Sequence, residues 1–433
     1  MATKKLASWA LALQFSNLTQ PVTDMADKII YNWAGCAIGG YSLPPAGVAL
    51  NALSPLLPHN SGNCFILGSD AFVDVQTAAP VNGIASYVDD YDDTHADTPV
   101  HPSGPVASAL LAMAELKAPV SGRDFITSFV AGVEVECKPG IAVYPEHYDI
   151  GWHISSPTGS IGAAVAVGKL LGLDLEQLQH AISIAALQVI GMRDSFGTDT
   201  KPFHVGRAAQ SGLLAAVLAQ KGYGGSLEGL EAEYGWAHVV SMRHNVTEEL
   251  STLGSVWDVT KNTFNPYPCD RIIHTAIDGW IQIHNQAVKK SLNIGNTKNV
   301  TARTNPMVLS LTDNHNPKTG LIGKFSVYHE FVKNPTVMNL RDKVSVMADK
   351  GVSKHEAFVT VEFNDGTKLD VHVEHALGSI EKPLSARQLK EEFLEQVSAH
   401  IGKKQADVAF SAFSQIANVT DMGKTTRNFK QYA

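Results

Sequence analysis

The chain has no cysteine pattern typical of a metal or redox protein. Only four of its 433 residues are cysteines, Cys36, Cys64, Cys137 and Cys269, and no two form a C-x-x-C pair. That spacing encodes neither a zinc ribbon nor a cysteine-held iron-sulfur cluster, and reads as incidental thiols in a reducing compartment. Charge is also sparse: 18% of residues are charged and 44% hydrophobic, against about 25% charged in an average soluble protein. Much surface is therefore expected to be buried, internally or between subunits. Positive charge is in deficit, with 34 Lys and Arg against 42 Asp and Glu and no long basic block, which excludes nucleic-acid binding driven by phosphate neutralisation. No apolar run is long enough to span a membrane. The short run after Lys4 and Lys5 ends at Gln14, and Leu6, Trp9, Ala10 and Leu13 recur at helical spacing, so it reads as an amphipathic first helix rather than a signal peptide. The expected location is cytoplasmic, with the mitochondrion left open. P-loop and G-x-G-x-x-G motifs are missing, as are internal repeats.

What is present is length and helical periodicity. At roughly 150 residues per domain, the chain has room for two or three domains. Apolar residues at three and four spacing predict helices from Thr23 to Gly40, Ser103 to Leu116, Gly122 to Val143, Ser155 to Leu171, Leu175 to Ile190 with Asp174 as cap, and His204 to Lys221. Several are apolar nearly all round, as in a large all-helical domain or a subunit interface. The pattern changes at Asn265-Pro-Tyr-Pro-Cys269. Beyond it come alternating segments, Val300 to Ser310, Ala357 to Phe363 and Lys368 to Glu374, with Asp365-Gly366 as a hairpin signal, and amphipathic helices at about 324–350 and 386–399. The expected architecture is mainly α: a helical domain over 1–265 and 400–433, and a smaller α+β lid domain over 266–399.

The segment Asp89-Asp90-Tyr91-Asp92-Asp93-Thr94-His95, followed by His101-Pro102-Ser103-Gly104, carries the most chemistry. Carboxylates so crowded should hold shifted pKa values, bind cations or pair with buried basic groups; the bland alternative is a solvated loop at a helix end. Read as D-D-x-x-D, the cluster evokes a magnesium-diphosphate site. The second metal motif such a site needs is missing, so no metal is expected. Two further segments add titratable groups. Gly151-Trp152-His153 precedes a small-residue helix start able to face an anion, although a lone histidine is more often structural. In Thr200-Lys-Pro-Phe-His-Val-Gly-Arg207, Lys201, His204 and Arg207 crowd a helix N-terminus. A cation there opposes the helix dipole, which suggests a bound carboxylate; a surface lysine is the alternative.

Taken in order, Asp-Tyr-Asp-Asp-Thr-His with His101-Pro102, Gly-Trp-His153, Thr-Lys201-Pro-Phe-His-Val-Gly-Arg-Ala-Ala, Asn-Pro-Tyr-Pro-Cys269 and Lys324-Phe-Ser-Val-Tyr328 resemble the motifs of the MmgE/PrpD family. That family includes 2-methylcitrate dehydratase, cis-aconitate decarboxylase and iminodisuccinate epimerase. The resemblance implies a helical domain, an α+β lid, a homodimer and a site between the domains. It also implies proton transfer beside a carboxylate of a small polycarboxylic acid, without metal or organic cofactor. Asp90, His101, His153 and Lys201 would be catalytic: His101 would give or take the proton, Lys201 and His153 would hold carboxylates or act as acid/base partners, and Asp90 would orient or balance a basic group. Thr94, His204, Arg207, Asn265 and Tyr328 would bind substrate. Where many members carry lysine before Pro-Tyr-Pro-Cys, this chain has Asn265, which removes one carboxylate partner. The favoured reaction at this stage is dehydration of a 2-methylcitrate-like or alkylcitrate-like acid, with cis-aconitate-type decarboxylation, iminodisuccinate-type epimerisation and a noncatalytic binding dimer as alternatives.

Overall fold

The computed structural model describes residues 1–56, 62–312 and 334–426. They form two compact units, Met1–Thr263 with Ser385–Ala433, and Phe264–Leu384. The architecture is mainly α, with a smaller α+β unit.

The first unit is built from α1 (Ala2–Ala12), α2 (Gln20–Gly40), α3 (Val75–Tyr87), α4 (Ser103–Lys117), α5 (Gly122–Val143), α6 (Ser155–Leu170), α7 (Leu175–Ala186) and α8 (Thr200–Gln220). Helix α8 packs against both α3 and α6, and α6 also lies on α5. The small residues that made these helices look apolar all round are what allow the close crossings. A Cβ on Gly206 of α8 would lie 2.3 Å from the Pro80 carbonyl oxygen of α3, and one on Gly83 would lie 2.8 Å from Gly206 Cα. Only glycine fits where the two backbones meet. Sequence caps set several boundaries. Asp174 accepts from the Gln177 amide, and the Gln177 side chain accepts in return from the Asp174 amide, which fixes the start of α7. That helix stops at Ala186 rather than running to Ile190, shortly before Gly191 turns the chain at φ +109°. Helix α2 begins at Gln20 with Pro21 in its first turn, and the Thr23 hydroxyl bonds back to the Gln20 carbonyl instead of capping. A two-residue antiparallel pairing joins β1 (Thr94–His95) to β2 (Asn262–Thr263).

In the second unit, α9 (His274–Lys289) covers one face of a four-stranded sheet made of β3 (Thr297–Thr304), β4 (Val344–Ala348), β5 (Ala357–Phe363) and β6 (Lys368–Val373). The order is β4-β3-β5-β6, with β3–β4 parallel and the other pairs antiparallel. Residues 357, 359, 361 and 363 of β5 are buried in strict alternation, and Val359, Val361 and Phe363 join Ile283 and Ala287 of α9 in one apolar cluster. The Asp365-Gly366 hairpin forms between β5 and β6, with Gly366 at φ +86°. The expected helix over 324–350 is corrected. Its described part is a short helix at Pro335–Arg341 followed by β4, because Val344-Ser-Val-Met-Ala finds a parallel partner in β3, and pairing overrides the helical spacing.

The chain then returns to the first unit with α10 (Ala386–Ile401) and α11 (Lys403–Phe413). Phe393 of α10 and Phe410 of α11 meet Tyr31 of α2, at ring-centroid distances of 6.3 and 5.2 Å. The helix at 386–399, assigned by the sequence to the lid, thus packs in the helical unit.

Candidate active site

The acidic segment leaves the end of α3 and runs to the start of α4. Asp90 sits in it at φ +58°, a left-handed conformation rare for a residue other than glycine. Downstream, Thr94 and His95 pair with β2, the His95 amide donates to the Val100 carbonyl at 2.8 Å, and the His101 amide donates to Ser155 Oγ of α6 at 3.0 Å. These contacts fix the downstream end of the loop, while Asp89 and Asp90 at its start are half-buried. Asp92 and Asp93 are fully buried.

Each acid has its own role. Lys201 Nζ, from the first turn of α8, pairs with Asp90. Asp92 Oδ2 lies 3.1 Å from His101 Nδ1, and Thr94 Oγ1 is 3.3 Å from the same nitrogen. His101 therefore turns Nδ1 toward Asp92, which leaves Nε2 as the ring nitrogen available to a ligand. Burial works against charge on His101, but the Asp92 carboxylate and its hydrogen bond outweigh it and raise the imidazole above its ordinary value. Asp93 is pushed up to about 7, first by burial, with a Ser103 hydrogen bond opposing. Asp89 also rises to about 7, through burial and then Asp90. The expected pKa shifts in the cluster are present, with burial a larger cause than crowding.

Two further imidazoles and one phenol lie beside the Asp92–His101 pair. His153 follows Gly151-Trp152, where Trp152 bridges to Met192 and the His153 amide donates to the Gly191 carbonyl at 3.2 Å. His204 lies one turn after Lys201 on α8, and its ring centroid is 4.3 Å from that of His153. The His101 and His153 rings are 6.2 Å apart and nearly parallel, at 20°. Tyr87, the last residue of α3, touches them all. Its ring centroid is 4.9, 6.0 and 5.7 Å from His101, His153 and His204, and Lys201 Nζ lies over its face at 5.0 Å. Burial lowers His153 well below the ordinary imidazole value, with His204, His101 and Lys201 adding to the effect. His204 falls to about 3, through burial and then Lys201. The cluster thus combines one imidazole inclined to carry charge, two that resist it and one ammonium. Such a set suits an anion that needs positive charge on one side and neutral donors on the other.

Of the sequence candidates, Asp90, Thr94, His101, His153, Lys201 and His204 come together. Arg207 does not. It is exposed, and its guanidinium donates to Gln210 Oε1 on its own helix at 2.5 Å, so the substrate-binding role expected for it is withdrawn. Asn265 belongs to the second unit, and Tyr328 lies outside the described residues. Sequence reasoning missed Tyr87 and left Asp92 without a role. Asp92 could have been found as one of two acids facing the chain's next histidines, but nothing in the apolar run before Asp89 marks Tyr87.

Among the described residues, one group has metal-ligand geometry, His95 with Asp97 and Asp258. Lysines already occupy its carboxylates: Lys138 Nζ is 2.7 Å from Asp258, and Lys261 Nζ is 2.7 Å from Asp97 and 3.1 Å from Asp258. Two ammonium groups take the place a cation would fill, and the cluster ties β1 to α5.

The family model of the MmgE/PrpD N-terminal domain matches residues 4–249, and that of the MmgE/PrpD C-terminal domain matches residues 326–415. The chain belongs to the MmgE/PrpD family. Its relatives include a cis-aconitate decarboxylase of Aspergillus terreus, 26% identical over an alignment 428 positions long, with 88% of this chain and 86% of that protein covered. The cis-aconitate decarboxylase of Mus musculus is 27% identical, covering 82% and 78%, and that of Homo sapiens is 28% identical, covering 66% and 60%. Among the described residues, no helix is long and apolar enough to cross a membrane.

Proposed function

We propose that this chain is a lyase that decarboxylates a small unsaturated tricarboxylic acid of the cis-aconitate class, using its own side chains for acid catalysis. The observation that carries the reading is the Asp92–His101 pair: an imidazole held toward its charged form, with Nε2 open, is set up to give a proton rather than to take one. Decarboxylation needs that order of events. Carbon dioxide leaves, the electrons of the broken carbon–carbon bond stay on the substrate as a carbanion delocalised toward a remaining carboxylate, and His101 delivers its proton to carbon. Lys201 and the neutral histidines stabilise the charge while it exists. The names of the relatives support the same substrate class.

Dehydration of a citrate-like acid, the reaction the sequence favoured, is the second reading. Asn265, an amide where many members of the family carry lysine, favours it, since an amide suits the hydroxyl that a citrate-like acid carries and cis-aconitate lacks. The two separate on incubation of the purified protein with cis-aconitate and with 2-methylcitrate. Carbon dioxide release from the first supports decarboxylation, and a new double bond from the second without carbon dioxide supports dehydration. The resemblance also implies a homodimer, which light scattering on the purified protein checks.

A further inference from the structure

Tyr87 is the residue whose place in the cluster no motif explains. Its hydroxyl lies 3.2 Å from His153 Nε2, and both side chains are buried, at 1% and 3% exposure. The other ring nitrogen, His153 Nδ1, is buried with no hydrogen-bond partner. A buried polar atom without a partner is uncommon in a folded protein, and at a candidate active site it marks a place where a ligand completes the bonding.

We propose that Tyr87 is a positioning residue: its hydroxyl donates to His153 Nε2 and so fixes the neutral imidazole with its proton on Nδ1, the atom offered to a carboxylate of the substrate. This rests on the anionic substrate argued above. A phenol carries one proton and keeps it at neutral pH, so donating it to Nε2 requires a lone pair there, which puts the ring proton on Nδ1. The reverse arrangement, Nε2–H donating into the phenol oxygen, would leave a lone pair on Nδ1 facing the anion and repel it. A doubly protonated ring is opposed by burial and by His204, His101, Lys201 and Arg193. The second ring nitrogen of a histidine is commonly set by the partner of the first, and here that partner is Tyr87.

Tyr87→Phe removes only the hydroxyl and keeps the ring faces that meet Lys201 and the three imidazoles. The test combines nitrogen-15 NMR of the full-length protein, with His153 assigned by its own substitution, and steady-state kinetics with cis-aconitate as the probe. The expected spectrum shows His153 protonated on Nδ1 and bare on Nε2 in the unaltered protein, with that preference lost in Tyr87→Phe. The expected kinetics are a rise in KM or a fall in kcat on the order of tenfold, with an unchanged thermal midpoint. An Nε2-protonated ring in the unaltered protein overturns the proposal, as does Tyr87→Phe with unchanged KM and kcat. If the unaltered protein does not turn over cis-aconitate, the substrate reading falls, and the NMR spectrum of the unaltered protein still decides the tautomer.

Discussion

The buried Asp92 and the partly exposed His101 form a carboxylate–imidazole pair, Oδ2 to Nδ1 at 3.1 Å, placed beside the separate Lys201–Asp90 ion pair. The acidic segment thus divides its labour. One carboxylate sets the charge of the histidine and another holds the lysine, while burial raises Asp89, Asp92 and Asp93 alike above the ordinary carboxylate value.

The first prediction concerns pH. If protonated His101 is the working form, activity falls as pH rises through its pKa, and the raised value moves that basic limb above the position of an ordinary histidine. Asp92→Asn removes the carboxylate that raises it. The basic limb of the kcat profile should then move to lower pH, and kcat at neutral pH should fall on the order of tenfold. An unmoved limb would dissociate His101 from the profile.

Substitution separates the cluster from its neighbour on α8. Alanine at His101, His153 or Lys201 should cut turnover on the order of a hundredfold or more with the fold retained by circular dichroism. Arg207→Ala, at an exposed position, should stay within about twofold of the unaltered protein, as surface changes usually do. A loss at Arg207 equal to that at Lys201 would return it to the site.

Much of this was legible in the sequence. Small-residue helices at three and four spacing, the Asp174 cap and the Asp365-Gly366 hairpin each rest on local rules, and each formed. Lys201 and His204 were visible as a pair because one helical turn separates them. Arg207, another three residues on, was indistinguishable by spacing, and its exposure follows from how α8 packs on α3 and α6. Strand β4 and the role of Tyr87 depend on partners distant in sequence, β3 in one case and three histidines from separate segments in the other. Local pattern carries no record of such partners.

Stability should depend on the Asp258 cluster. Lys138 and Asp258 are almost fully buried, and removing one partner leaves an uncompensated charge, at a cost of about 3–5 kcal/mol. Asp258→Ala should lower the denaturation midpoint accordingly. The folded Asp258 carboxyl is held below its ordinary value by His95 and Lys138, against burial. Its stabilisation is therefore present above the unfolded pKa of about 3.9 and fades only as pH falls toward the depressed folded value. A variant as stable as the unaltered protein at pH 7 would show the network to be energetically idle.

Chelation tests the role of the two lysines there. Because Lys138 and Lys261 already pair with Asp258, incubation with a strong chelator followed by gel filtration should leave turnover unchanged. Activity lost to chelation and restored by a divalent cation would contradict that reading.

Protonation by His101 of a carbanion formed by loss of carbon dioxide is read out by turning over cis-aconitate in deuterated water and analysing the product by mass spectrometry and proton NMR. The expected result is release of one carbon dioxide and one deuterium bonded to carbon in an unsaturated dicarboxylate, with both lost together in His101→Ala. Hydration or dehydration without carbon dioxide, or decarboxylation that proceeds at an unaltered rate in His101→Ala, would contradict it.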